Sequence, residues 1–292
     1  IGNREKDKQY TEIDKDSAYF LERFLDATKA NLFFAQGVII VEGDAENLLI
    51  PALAEVIGLP LNKYGVSIVN VGSTAWKRYV KIFERTDGKV MPVKVAVVSD
   101  GDVPCSEYLK ENPPKVYIHV LESGEVIIET DKTRFKDLLR VHKLPTNDIA
   151  DKSELKSEHV ESYIKLLNNR KSLNRYQPAN DIIQIFTNEW TLEYNLANSV
   201  LKDALLSAMK DAIKLSGVGI EPPEDSSDAY ILMKPFLENL SKALTAQFLA
   251  KTLLDKKNAL REAIENDDQL KYLVNAIKFA AARTFRITPW QN

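Results

Sequence analysis

Two short acidic runs carry the side chains best suited to chemistry. One is Val41-Glu42-Gly43-Asp44-Ala45-Glu46 and the other is Val98-Ser99-Asp100-Gly101-Asp102. Carboxylate oxygens are natural ligands for hard divalent cations, and paired cations of this kind support hydrolysis of phosphate esters. Softer ligands are scarce. The chain has one cysteine, Cys105, and three scattered histidines, His119, His142 and His159. A zinc-thiolate site and an internal disulfide are therefore excluded. Any metal is expected on carboxylates, which favours Mg²⁺, Mn²⁺ or Ca²⁺.

Each acidic run follows a stretch that reads as a buried strand. Gly37 to Val41 (GVIIV) and Val93 to Ser99 (VKVAVVS) are short continuous apolar runs. Such runs are typical of parallel strands covered on both faces. Between them lie a further strand, Val66 to Val71, and two helical stretches, Ala45 to Ile57 and Thr74 to Arg85. Strand and helix in alternation predict βαβ units and a parallel sheet. Ligands of open α/β sheets gather at the carboxyl ends of the strands, where Glu42 and Asp100 stand. Glu46 falls in the first turn of the next helix. In an extended chain Asp100 and Asp102 point to the same side and can share one cation. Four converging carboxylates repel one another unless a cation joins them. Each run also has a plainer reading. Asp44 and Glu46 suit a helix N-terminus, and Asp-Gly suits a turn closing a strand. Asp44 is expected at the rim, and Ser99 either offers its hydroxyl to the pocket or serves packing.

The rest of the chain has a different texture. A polar stretch to residue 17 precedes an amphipathic helix from Ser17 to Phe34. Residues 115–130 read as a hairpin turning at Glu122-Ser123-Gly124-Glu125. Helices are expected over 131–141 and around Glu161 to Asn168, and a further strand at Ile182 to Thr187 (IIQIFT). Beyond Thr191 strands cease. Helix is expected over 191–214, a Gly/Pro/Ser loop over 215–227, and two helices over about 230–256 and 257–283. The implied organisation is a tail and lead-in helix (1–31), a catalytic α/β domain (32–190) and a helical domain completing the site (191–292).

The 292 residues carry 39 Lys plus Arg against 42 Asp plus Glu, a formal charge of −3. That argues against a basic nucleic-acid coat, although acidic residues gathered in one metal site would account for part of it. Two local basic clusters could still track phosphates: Lys77, Arg78 and Lys81, or Arg170, Lys171 and Arg175. A solvated charged face is the plainer reading of each. Trp76 and Trp190 suit the core better than base stacking. No apolar run approaches the roughly 18 residues of a membrane span, and the polar start is unlike a signal peptide. No membrane association and a cytoplasmic setting are expected. Because the chain starts at Ile1, a fragment of a longer protein is expected.

A Glu-Gly turn after one buried strand, with Asp-x-Asp after another 58 residues later, resembles the Toprim domain of topoisomerases, primases and a set of nucleases. The sequence is more closely similar to the OLD-family (overcoming lysogenization defect) nucleases. That similarity lies in Leu25-Asp26-Ala27-Thr28-Lys29-Ala30 through Phe33-Phe34-Ala35, and in the run from Val41 to Glu46. It continues in Thr191-Leu192-Glu193-Tyr194-Asn195-Leu196-Ala197, then in Ser241-Lys242 followed by Ala246-Gln247-Phe248-Leu249-Ala250. Together these span most of residues 17–260.

The resemblance implies a Toprim-type parallel sheet with flanking helices and a C-terminal helical domain. It implies a metal-dependent DNA endonuclease using two cations, Mg²⁺ or Mn²⁺, with Ca²⁺ as an inert substitute. Glu42, Asp100 and Asp102 would hold one cation. Glu46 and Glu193 would hold the other, with Ser99 also among the metal-site residues and Asp100 possible as a bridge. Lys242 would act on the scissile phosphate, with Lys202 and Lys210 as alternatives. On residue type alone, Glu193 is a first-turn helix acid and Lys242 a solvated lysine. The family also implies an ABC-type ATPase domain. No G-x-x-x-x-G-K-[ST] run occurs here, so this chain is expected to be the nuclease region alone. DNA and that ATPase domain are the expected partners, and a helicase is known for some members. Competing readings are a topoisomerase- or primase-like Toprim protein and a non-catalytic cation- or partner-binding module.

Overall fold

The computed structural model describes residues 4–5, 8–9, 13–24, 29–72, 75–85, 87, 89, 91–147, 149–223 and 228–282. The sequence readings at Leu25 to Thr28, Thr74, residues 224–227 and residue 283 lie outside them. A two-residue antiparallel ladder, β1 (Arg4–Glu5) with β2 (Lys8–Gln9), precedes α1 (Lys15–Phe24). Asp14 starts α1, its Oδ1 accepting from the Ser17 backbone N–H at 2.8 Å. Then follow β3 (Gly37–Val41), α2 (Asp44–Val56), β4 (Val66–Asn70), α3 (Trp76–Val80) and β5 (Lys94–Ser99). All five residues of β3 are buried, as its unbroken apolar run requires of a central strand. Alternate residues Val38, Ile40, Val95 and Val97 pack with Leu21 of α1 and Tyr79 of α3. That covers one face of the sheet.

The chain divides into two compact units, residues 1–101 with 176–292, and residues 102–175. The second holds α4 (Ser106–Glu111), β6 (Lys115–Val120), β7 (Val126–Glu129), α5 (Lys132–Val141), β8 (Ser153–Glu154) and α6 (Val160–Leu173). The hairpin expected over 115–130 is present, with Val120 paired to Val126 across the turn. Side chains alternate along β6. Val116 packs with Leu109, Val160 and Tyr163, and its neighbour Tyr117 packs with Phe135 and Leu139. Helices thus cover both faces of this small sheet. The short α4 and β8 escaped the sequence reading because neither is long enough to display a period.

The first unit resumes at Tyr176. β9 (Ile183–Thr187) lies parallel beside β5 and completes a four-stranded parallel sheet of order β4-β3-β5-β9. Next come α7 (Leu192–Ala197), α8 (Lys202–Ser216), α9 (Ala229–Leu237), α10 (Lys242–Asp255), α11 (Lys257–Asn266) and α12 (Lys271–Ala281). The two long helices expected from 230 to 283 are therefore four. The first break follows Pro235, with Asn239 at φ 74° and Ser241 capping α10 by accepting from the Leu244 N–H. The last falls at Asp267, whose Oδ1 accepts from the N–H groups of Gln269 and Leu270. Local side-chain caps of this kind override a continuous helical composition. α12 packs on β3, β5 and β9, and α10 packs on α2. The architecture is α/β with a helical C-terminal portion. No described helix is long and apolar enough to cross a membrane.

Candidate metal centre

β3 and β5 are adjacent and parallel, with Ile40 in register with Val97. Their carboxyl ends therefore open side by side, and the first residues beyond the paired segments can meet. Ser99 Oγ donates to Glu42 Oε1 at 2.6 Å. This contact bridges the two strand ends, and the two residues come from the two runs singled out in the sequence. From β3 the chain turns at Gly43, the N-cap of α2, which carries no side-chain cap. A Cβ on Gly43 would stand 2.9 Å from Glu46 Oε2. The bare glycine is what lets the first-turn carboxylate fold back over the turn.

The helical portion supplies the opposite wall. Thr191 caps α7 by accepting from the Tyr194 N–H, which places Glu193 in the first turn. Ser241 caps α10 and places Lys242 at its first residue. Lys242 Nζ donates to Glu193 Oε2 at 2.8 Å; Glu193 is buried while the lysine side chain remains half exposed.

Glu42, Glu46, Asp100, Glu193 and Lys242 line one cavity of about 300 Å3 at the end of the parallel sheet, with Asp44 also in its lining. Asp44 is exposed there and accepts from Asn70 Nδ2 at 2.6 Å, which ties the rim to the end of β4. Asp102 begins the second unit; it is exposed and has a left-handed φ of 54°. The chain has therefore left the extended geometry on which the expected Asp100–Asp102 alternation relied.

The crowding has electrostatic consequences. Burial raises the Asp100 carboxyl to about 7, with Glu46 and Glu193 adding to the effect against the opposing Asn188 bond and Lys242 charge. Burial likewise raises Glu46, helped by Glu193 and Glu42. Burial acts to lower the Lys242 ammonium, but Glu193, Asp100 and Glu46 together hold it above its usual value. Negative charge in this cavity exceeds what the protein itself neutralises.

Among the described residues, no three His, Cys, Asp or Glu side chains are drawn together closely enough to hold an ion. Three of the carboxylates accept from protein donors: Glu42 from Ser99, Asp100 from Asn188, and Glu193 from Lys242. The acids ring the cavity rather than closing a cage. Their chemistry nevertheless fits a hard divalent cation, because every donor is oxygen and two of the carboxyls are destabilised as anions.

The expected phosphate-tracking set is placed on and after α3. Lys77 is exposed, with its ammonium 5.6 Å from the Trp76 ring centroid. Arg78 stacks 4.6 Å over Phe20 and donates to the Asp16 carbonyl at 3.3 Å. Lys81 pairs with Asp14, whose carboxyl is held well below its usual range chiefly by that bond. Trp76 and Trp190 are both buried. In the second unit Arg170 pairs with the buried Glu129.

The sequence reading missed Asn188, the residue directly after β9. Its Nδ2 donates to Asp100 Oδ1 at 2.6 Å and its Oδ1 accepts from the Gly101 N–H at 2.5 Å. A polar residue at the carboxyl end of a third parallel strand was the available signal.

Residues 33–102 match the family model described as "Overcoming lysogenization defect protein-like, TOPRIM domain". The matched segment runs from just before β3 to Asp102 and contains both acidic runs. Among curated proteins, none matches the chain. Among solved structures, the C-terminal region of the Xanthomonas campestris pv. campestris OLD protein is 21% identical, covering 86% of this chain and 94% of that one, with a TM-score of 0.43. The C-terminal region of the Burkholderia pseudomallei OLD protein is 20% identical, covering 86% and 100%, with a TM-score of 0.41.

Proposed function

We propose that this chain, which carries an OLD-like Toprim domain, is a metal-dependent DNA endonuclease that hydrolyses phosphodiester bonds with two divalent cations. The observation that supports this most is the convergence of four carboxylates and one lysine on a single cavity at the carboxyl end of the parallel sheet. Glu42 and Asp100 are assigned to one Mg²⁺ or Mn²⁺. Glu46 and Glu193 are assigned to the other. Bound cations of this class supply an activated water and neutralise charge on the phosphate.

The protein's own groups do the rest. Ser99 orients Glu42 by donating to its Oε1. Lys242, half exposed and tied to Glu193, is the cation that would meet charge building on the phosphate. Lys77 is the exposed cation proposed to follow the DNA backbone, while Arg78 and Lys81 of the same set hold the start of α1. The domain division at 32–190 and 191–292 carries over as a proposal in one respect. The residues after 191 complete the site through Glu193 and Lys242.

The test is incubation of supercoiled plasmid with Mg²⁺ or Mn²⁺. Nicked or linear product that disappears with EDTA and with Asp100→Ala supports the proposal. No product under either metal, or undiminished cleavage by Asp100→Ala, would overturn it. A topoisomerase would yield relaxed closed circles instead.

A further inference from the structure

Asn188 has no part in the chemistry proposed above, yet its side chain touches both halves of the turn that carries Asp100. β9 and β5 run in register to Thr187 and Ser99, so Asn188 stands opposite Asp100 one residue beyond the sheet. The side chain is buried, with 7% of its surface exposed. One amide therefore donates to Asp100 Oδ1 at 2.6 Å and accepts from the Gly101 N–H at 2.5 Å. The backbone closes in from the same direction. A Cβ on Gly101 would stand 1.9 Å from the Glu189 carbonyl oxygen and 2.3 Å from that of Asn188. The Tyr272 hydroxyl is buried and near enough to the Asn188 amide for the two to interact.

We infer that Asn188 is a positioning residue for the cation ligand Asp100. It fixes the rotation of that carboxylate so that Oδ1 stays with the protein and Oδ2 is left for the cavity. This builds on the proposal that Asp100 holds a cation. The requirement is for a donor facing a carboxylate and an acceptor facing an N–H, on neighbouring atoms of one side chain. A carboxamide offers both. An aspartate would set two anions against each other, and an aliphatic side chain would strand a buried N–H and free the carboxylate to turn. Groups that orient metal ligands typically contribute 10- to 100-fold to metal affinity.

The measurement is Mn²⁺ binding by calorimetry, without DNA, on the wild-type chain and on Asn188→Leu and Asn188→Ser, with thermal melting of each. Either variant that melts cooperatively is expected to bind Mn²⁺ about 10- to 100-fold more weakly. The Mn²⁺ concentration giving half-maximal plasmid cleavage should rise in parallel, with the KM for DNA unchanged. A folded variant with wild-type Mn²⁺ affinity would overturn the inference while leaving the nuclease proposal intact. Absence of Mn²⁺ binding by the wild-type chain would remove both. Failure of both variants to fold would assign Asn188 to the fold rather than to Asp100, and would overturn the inference as well.

Discussion

Two buried glutamates, one in each compact unit, face a basic side chain and come to opposite ends. Glu129 at the end of β7 is buried and pairs with Arg170 of α6. It also accepts from the N–H groups of Thr130 and Asp131, at 2.6 and 3.2 Å. Although burial raises it, those bonds together hold its carboxyl below the usual range. Glu193 is equally buried and pairs with Lys242, but its neighbours are the carboxylates Glu46 and Asp100, both raised. The first acid is satisfied by the protein. The second sits among more negative charge than the protein offsets. A buried carboxylate held by a cation and backbone donors is a structural device, and several carboxylates crowded around one lysine suit an added cation.

Four perturbations would break or sharpen that contrast. The largest effect is expected from Asp100→Ala, which should lower metal-dependent plasmid cleavage by roughly 10³-fold or more while leaving melting cooperative. Next is Lys242→Ala, expected to cost about 10²-fold in kcat by removing charge compensation at the phosphate. Added Mn²⁺ should raise its melting temperature at least as much as that of the wild type, because Glu193 then has no protein cation. In the other unit, Arg170→Met should leave cleavage by the folded fraction unchanged but cost about 1 to 3 kcal/mol in urea unfolding, since Glu129 then keeps only its backbone donors. Loss of cleavage without loss of stability there would reverse the assignment of the two pairs.

The last effect is in pH. Between its ordinary value and about 7, Asp100 keeps a proton in the folded state that the unfolded chain has released. Glu46 is shifted in the same direction. The unfolded state binds fewer protons in that window, so metal-free stability should fall as pH rises from about 4 to about 7 and then level off. Glu129 pulls the other way, its share being lost only as pH drops below the ordinary carboxylate range. Melting in EDTA across pH 2.5 to 8, with Glu129→Gln as control, separates the two. Saturating Mg²⁺ should flatten the upper window.

What could be read from the sequence follows physical range. β3 and β5 were legible because buried parallel strands are continuous apolar runs. Glu42 and Asp100 followed because strand ends collect ligands. Their adjacency required only that β3 and β5 be neighbours. Glu193 and Lys242 lie 49 residues apart and meet across two helix starts. No local period encodes that meeting, and only the family resemblance pointed to them. The breaks at Asn239 and Asp267 were missed because single capping side chains made them within helical composition. Asn188 was missed because its partners are 88 and 87 residues away, and its own neighbours say nothing of them.

The contrast between the two glutamates comes to one measurement, anomalous scattering from crystals soaked in Mn²⁺. The account predicts a peak against Glu42 and Asp100 and a second between Glu46 and Glu193, with none at Glu129. A cavity without any peak at saturating Mn²⁺, or a peak at Glu129 instead, would contradict it.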